Sequence, residues 1–444
     1  MRSQLIKNAL LVNEGRTVAA DVRIKGDRID SIASSLSATA LDQVIDATGC
    51  YLMPGMIDDQ VHFREPGLSH KGTIASESRA AVAGGITSYM EMPNVNPATT
   101  SQQALEDKYA RAKAHSAANY AFYLGATEDN LDTIKALDRK KICGVKVFMG
   151  ASTGDLLVEN PAALDAIFRE SPVLIATHCE HGQVIQQNLR KLHHQGITPT
   201  IQHHPQIRDE KACYSSSSYA VALAKKYHTQ LHVLHITTAR ELSLFTAGPI
   251  TNKHITAEAC VHHLWFSDND YARLGNLIKC NPAIKSNHDR HALLNALNSD
   301  HLDIIATDHA PHTWHEKQQP YNQAPAGLPL VEHALLMLMQ QVHNGTFSIE
   351  KVVEKTGHNP ALRYHIVERG FIREGYYADL VLLNPNATTS VANQHSRYLC
   401  GWTPVADQQF SARIVSTWVN GQQVFNGYHI LEATRAAMPL LFNR

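Results

Sequence analysis

The chain has 444 residues, with 40 Lys and Arg against 41 Asp and Glu and a net charge of -1. That length exceeds one small core and fits a large α/β domain with a smaller module. The balanced charge excludes the basic footprint of a nucleic-acid or anionic-membrane binder. No apolar run reaches membrane-spanning length, and the first residues lack a signal-peptide core. Seven scattered cysteines without a C-x-x-C pair point to a reduced, cytoplasmic compartment.

Residues 1–53 alternate apolar and polar positions in LIKNALLV, DVRIKGDRIDSI and DQVIDATGCYLM, the pattern of short antiparallel strands with Gly and Asp turns. From residue 54 to 370 the rhythm changes. Strand-length apolar runs recur at Met56–His62, Ser88–Asn94, Tyr120–Ala126, Val145–Gly150, Val173–His178, Leu231–Ile236, His254–Cys260 and Asp303–Asp308. Helical patterns separate most of them, among them LEDKYARAKAHSA, VIQQNLRKLHHQ, SSYAVALAKKYH and HALLNALNS. Eight strands alternating with helices predict a (β/α)8 barrel. An open doubly wound sheet is disfavoured because no G-x-G-x-x-G opens the first strand–helix turn. Residues 371–444 return to the opening texture, with ADLVLLNPN and FSARIVSTWVNGQQVFNG, and Asn420-Gly421 marks a tight hairpin. The expected organisation is a small discontinuous β-sandwich module from 1–53 and 371–444, around a barrel of 54–370.

In such barrels the chemistry sits at the C-terminal ends of the strands. Here those ends carry His62, Lys146, His178, His235 and Asp308. A lone strand-end histidine is more often a hydrogen-bonded structural residue, and a strand-end aspartate is commonly a helix cap. Five such residues meeting on one rim point to a metal site, because imidazole and carboxylate suit a Zn²⁺-like ion. An ammonium cannot ligate a cation, but burial inside a central strand lowers the lysine pKa. The free amine can then react with CO2 to give an anionic carbamate that bridges two ions.

These residues resemble the dihydroorotases of the amidohydrolase superfamily across essentially the whole chain. The motifs are HFREPG (62–67), EMPNVNP (91–97), CNPAIK (280–285), TDHAPH (307–312) and PAGLP (325–329). The resemblance implies that His62 and Asp308 bind a first zinc ion, that Lys146 as N6-carboxylysine bridges it to a second, and that His178 and His235 bind the second. It makes Asp308 the acid–base residue. His62, Arg64, Asn94, Asn281 and His312 would contact substrate, closed over by the backbone of Ala326 and Gly327. It also implies the reversible cyclisation of N-carbamoyl-L-aspartate to (S)-dihydroorotate, a cytoplasmic enzyme, and a homodimer. Arg64 would grip the substrate carboxylate as a bidentate fork. Allantoinases and hydantoinases share the barrel and the carbamate, so a cyclic amidohydrolase of that kind is the alternative.

One position departs from the family pattern, which places a histidine at 60 where this chain has Gln60. A glutamine oxygen is a weak ligand for zinc. Three outcomes follow: Gln60 coordinates through its oxygen, the site holds a single ion on Lys146, His178 and His235, or the chain is a non-catalytic scaffold for a partner such as aspartate transcarbamoylase. The small-residue loop Met149–Leu157 follows the lysine strand and reads either as a mobile segment near the substrate or, at least as readily, as an ordinary strand–helix loop. His262-His263 is a minor candidate for the pocket wall, whereas His193-His194 and His203-His204 are not expected to be ligands.

Overall fold

The structure is a computed structural model that describes residues 3–150, 156–431 and 436–444. Its centre is an eight-stranded, all-parallel sheet in sequence order: Met56–Val61, Ile86–Glu91, Asn119–Gly125, Gly144–Met149, Ile175–Cys179, Leu231–Val233, Ile255–Cys260 and Ile304–Ala306. A parallel bridge between Val61 and His309, with the His62 amide donating to the His309 carbonyl at 2.7 Å, joins the last strand to the first. These strands are buried along nearly their whole length because both faces are covered, one by the barrel interior and one by helices. The expected helices are present. Gln102–His115 is capped by Ser101, Glu210–Tyr227 by Asp209 and Asn287–Asn298 by Ser286, each through a side-chain oxygen that accepts from a first-turn amide.

The sixth and eighth strands stop earlier than their apolar runs. His235 (φ 38°) and Asp308 (φ 47°) adopt left-handed backbone, which leaves the strand ladder before each side chain is reached. Both residues therefore stand just beyond the strands, at the barrel mouth.

The second sheet draws on both ends of the chain. Its order is Gln422–Phe425, Arg413–Val419, Leu380–Asn384, Tyr51–Pro54, Ser3–Asn13, Arg16–Lys25 and Arg28–Ala33, with Asp42–Asp46 pairing alongside Ser3–Asn13. The sheet is continuous and surrounds its own apolar core, which includes Ile6, Leu11, Val22, Leu52, Leu380 and Trp418. Asn420 (φ 48°) and Gly421 (φ 74°) supply the two left-handed residues that a type I′ hairpin turn requires. A buried node ties this sheet to the barrel: Asp379 pairs with Arg369 and accepts from the Asn420 amide at 2.7 Å and from Asn119 Nδ2 at 3.1 Å. The final residues run back across the barrel, where Leu440 N donates to Tyr120 O and the Arg444 guanidinium to Cys143 O. Among the described residues no helix is long and apolar enough to cross a membrane.

Candidate active site

At the C-terminal mouth of the barrel lies a cavity of about 400 Å³. Gln60, His62, Arg64, Asn94, Lys146, His178, His235, Asn281, Asp308, Ala326 and Gly327 all line it. His312 is the exception among the expected residues. It sits one layer behind, with Nε2 3.0 Å from Arg64 Nη2 and 3.0 Å from the Ala326 carbonyl, while Trp402 Nε1 donates to its carbonyl at 2.7 Å. Arg64 only donates, so His312 Nε2 accepts from it and braces the guanidinium from behind, packed against the Ala326 carbonyl. His262 and His263 do not line the cavity. Of the loop Met149–Leu157, residues 151–155 lie outside the described residues, and Gly150 and Leu157 line the wall.

Four of the cavity's side chains form two pairs. His62 Nε2 lies 3.0 Å from Asp308 Oδ1, and His178 Nδ1 lies 3.0 Å from His235 Nε2. Lys146, on the fourth strand, acts electrostatically on both pairs. Burial lowers the pKa of His62, His178 and His235, which keeps the imidazoles in the neutral form that ligates metals. Burial opposes the charge on Asp308, yet the hydrogen bond from His62, aided by the Lys146 charge, outweighs it and holds its carboxyl below the usual range. Burial also pushes the Lys146 ammonium down to about 8, so roughly a tenth is free amine at pH 7, far more than for an ordinary lysine.

His178 is oriented from outside the cavity. Its Nε2 donates to Glu180 Oε2 at 2.9 Å, which leaves the Nδ1 lone pair facing inward. Burial disfavours the Glu180 charge, but Arg208 and His178 together pull it down to about 2. Arg208 itself reaches the cavity wall. It follows the short helix His204–Ile207, far from any strand end, and nothing in the sequence signals it. Glu180 was more legible, because a carboxylate two residues past a strand-end histidine has the spacing of an orienting partner.

The wall of the cavity that carries Arg64 is cationic. Arg64 (φ 72°) donates from Nε to the Pro311 carbonyl at 3.0 Å, and among the described residues no carboxylate lies within ion-pairing distance of its guanidinium. Burial brings its pKa to about 10, so it stays charged. The Ala326–Gly327 segment is held by Lys317, whose Nζ donates to the carbonyls of Lys279, Pro325 and Gly327 at 3.1, 3.0 and 2.7 Å.

The described residues hold further candidate metal-binding groups outside this constellation. Asp59, His232 and Glu258 cluster in the buried barrel interior, and His262, His263 and Cys280 form a second buried group. In the first group His232 Nε2 lies 3.3 Å from Asp59 and 3.1 Å from Glu258. Burial works against its charge, but the two carboxylates raise it to about 9. The protonated ring is therefore the cation of that cluster.

An all-parallel barrel with imidazoles, a buried lysine and an aspartate at its C-terminal mouth defines a metal-assisted hydrolase architecture. The chain belongs to the amidohydrolase family, whose sequence profile matches residues 51–424. It is 32% identical to a dihydroorotase of Halobacterium salinarum over 96% of this chain and 97% of that one. It is 28% identical to an allantoinase of Rubrobacter xylanophilus over 96% and 95%. Among solved structures, the L-hydantoinase (dihydropyrimidinase) from Arthrobacter aurescens superposes with a TM-score of 0.93 at 25% identity, covering 99% of this chain and 100% of that one.

Proposed function

We propose that this chain is a dihydroorotase, which reversibly cyclises N-carbamoyl-L-aspartate to (S)-dihydroorotate and water in de novo pyrimidine synthesis. The observation that carries the reading is Arg64, a buried guanidinium on the cavity wall with no carboxylate partner among the described residues. An unpaired buried charge is costly, and the carboxylate borne by both substrate and product compensates it. Asn94 and Asn281 add polar contacts beside it, and the Ala326–Gly327 backbone closes the ring against the wall.

The donor set suits zinc. His178 and His235 converge with inward-facing nitrogens. Lys146, with its lowered pKa, would take up CO2 to become the carboxylate ligand that complements them, and His62 and Asp308 stand at the other side. A bound zinc ion supplies Lewis acidity and lowers the pKa of water from about 16 to about 7. Asp308 takes the proton released by the attacking water and hands it to the departing ring nitrogen, and the reverse transfers accompany cyclisation. His312 keeps the Arg64 fork aligned, and Glu180 keeps His178 in the ligating tautomer. The same reading assigns the enzyme to the cytoplasm and to a homodimer, and keeps 1–53 with 371–444 as one β module around the 54–370 barrel.

A second reading, a hydantoinase-type hydrolase of uncharged rings, is favoured by the likeness to the Arthrobacter enzyme, but it leaves Arg64 without a counter-charge. Turnover of dihydroorotate, allantoin and hydantoin by protein supplied with zinc and bicarbonate separates the two. Preference for dihydroorotate is expected, and absence of its turnover overturns the proposal. Inactivity on all three rings, with no zinc retained, is the outcome a scaffold subunit would give.

A further inference from the structure

The two ends of the ligand constellation use their polar atoms differently. At one end His178 Nδ1 and His235 Nε2 face each other at 3.0 Å, with the outer nitrogen of His178 already committed to Glu180. Lys146 Nζ has no hydrogen-bond acceptor among the described residues and lies 4.6 Å from the centre of the Phe148 ring. His178 and His235 share one hydrogen bond whose proton a bound cation would replace, and Lys146 Nζ gives up no acceptor to reach that cation.

At the other end the groups close on each other. Asp308 Oδ1 lies 3.0 Å from His62 Nε2 and 3.1 Å from Gln60 Nε2. An ionised carboxylate only accepts, so the Gln60 amide must turn its NH2 toward Asp308. Its carbonyl oxygen is then directed at Cys260 Sγ, 3.6 Å away, and accepts from the thiol. His62 Nδ1, then an acceptor, lies 2.7 Å from the Asn94 amide, which must present its NH2 to it. Gln60 is 1% exposed, so no bulk water is available to take over a contact it gives up. Turning the amide over to offer its oxygen to a cation would break both contacts and leave an NH2 facing an S–H. The gain would be one neutral oxygen, a poor ligand for a zinc-like ion.

We infer that Gln60 makes this a one-ion centre, in which Lys146, His178 and His235 hold the ion and the Gln60 amide, in place of a second ion, positions Asp308. The inference deepens the proposed function, because it rests on Asp308 as the acid–base residue. Gln60 is a positioning residue: it touches Asp308 and acts through it.

The test is a zinc count on the full-length protein. Wild type, Q60H and Q60L are loaded with zinc and bicarbonate, desalted and measured by inductively coupled plasma mass spectrometry, and their kcat and KM for dihydroorotate are determined. The expected result is one zinc per chain in wild type and two in Q60H, where an imidazole replaces the amide. Q60L is expected to keep one zinc while kcat falls roughly 10- to 100-fold with little change in KM. A purely structural role for Gln60 would lower zinc content and kcat together. Two tightly held zinc ions in wild type, or loss of the single zinc in Q60L, overturns the inference. The zinc count requires no substrate. One zinc in a wild-type protein that ignores dihydroorotate would support the one-ion centre and sink the proposed activity.

Discussion

Removing the charge of Arg64 gives the sharpest test of substrate recognition. The side chain is 5% exposed, is anchored through Nε to Pro311 O, and is flanked by His312. Arg64→Met keeps much of the apolar stem and deletes the guanidinium. Truncating one partner of a buried, hydrogen-bonded charge pair costs roughly 2–5 kcal/mol. At about 1.4 kcal/mol per decade this is a loss of roughly 30- to 4000-fold in kcat/KM for dihydroorotate. The control is the methyl ester of dihydroorotate, which has the same ring and no charge. Its kcat/KM should change by less than about threefold between wild type and variant, because the pairing energy is absent from both. Arg64→Lys should fall between the two, since an ammonium keeps the charge but cannot form the planar fork. Equal losses on acid and ester, or a loss below tenfold on the acid, would refute the assignment of Arg64 to the carboxylate.

Three other outcomes are expected. Burial holds Lys146 at about 8, against 10.5 for an unburied lysine. Between those pH values the unfolded chain binds a proton that the folded chain does not, so the stability of metal-free, CO2-free protein rises with pH across that window. The contribution is about 3 kcal/mol at 1.36 kcal/mol per pH unit. It is read as the difference in urea unfolding between wild type and K146M at pH 7.5 and pH 10, and an unchanged difference would count against it. Glu180→Ala frees the His178 ring and strands the Arg208 charge. Zinc affinity, measured by chelator competition, should drop roughly 10- to 100-fold. Gly150→Ala places a methyl group on a residue at φ +101°, where it overlaps the Glu180 carbonyl oxygen. It should cost at least about 2 kcal/mol by urea denaturation. Gly15→Ala, at φ +76° with open space around the added carbon, should cost only about 1 kcal/mol.

The barrel was legible because its strands are largely apolar on both faces and its helices are amphipathic, two periodicities that a sequence displays directly. The outer sheet was legible from alternation and from Asn420-Gly421. What escaped depends on contacts between distant segments. The sixth and eighth strands end early because His235 and Asp308 turn left-handed, a conformation that apolar patterning does not encode. Arg208 reaches the cavity from a helix–helix connection. His312, which belongs to a motif that suggests a pocket residue, supports Arg64 from behind. Gln60 could be recognised as a departure, but its partners could not, since Cys260 and Asp308 are 200 and 248 residues away in the chain.

The pairing of Tyr51–Pro54 with Leu380–Asn384 has a consequence during synthesis. The first of these strands leaves the ribosome roughly 300 residues before its neighbour, which is about 15–60 s at typical elongation rates. Throughout that interval the nascent sheet carries an open edge with unpaired amides and carbonyls, a template for association with other chains. A message cut short before codon 380 should therefore yield aggregating fragments, while full-length chains made with a holding chaperone present should emerge monodisperse.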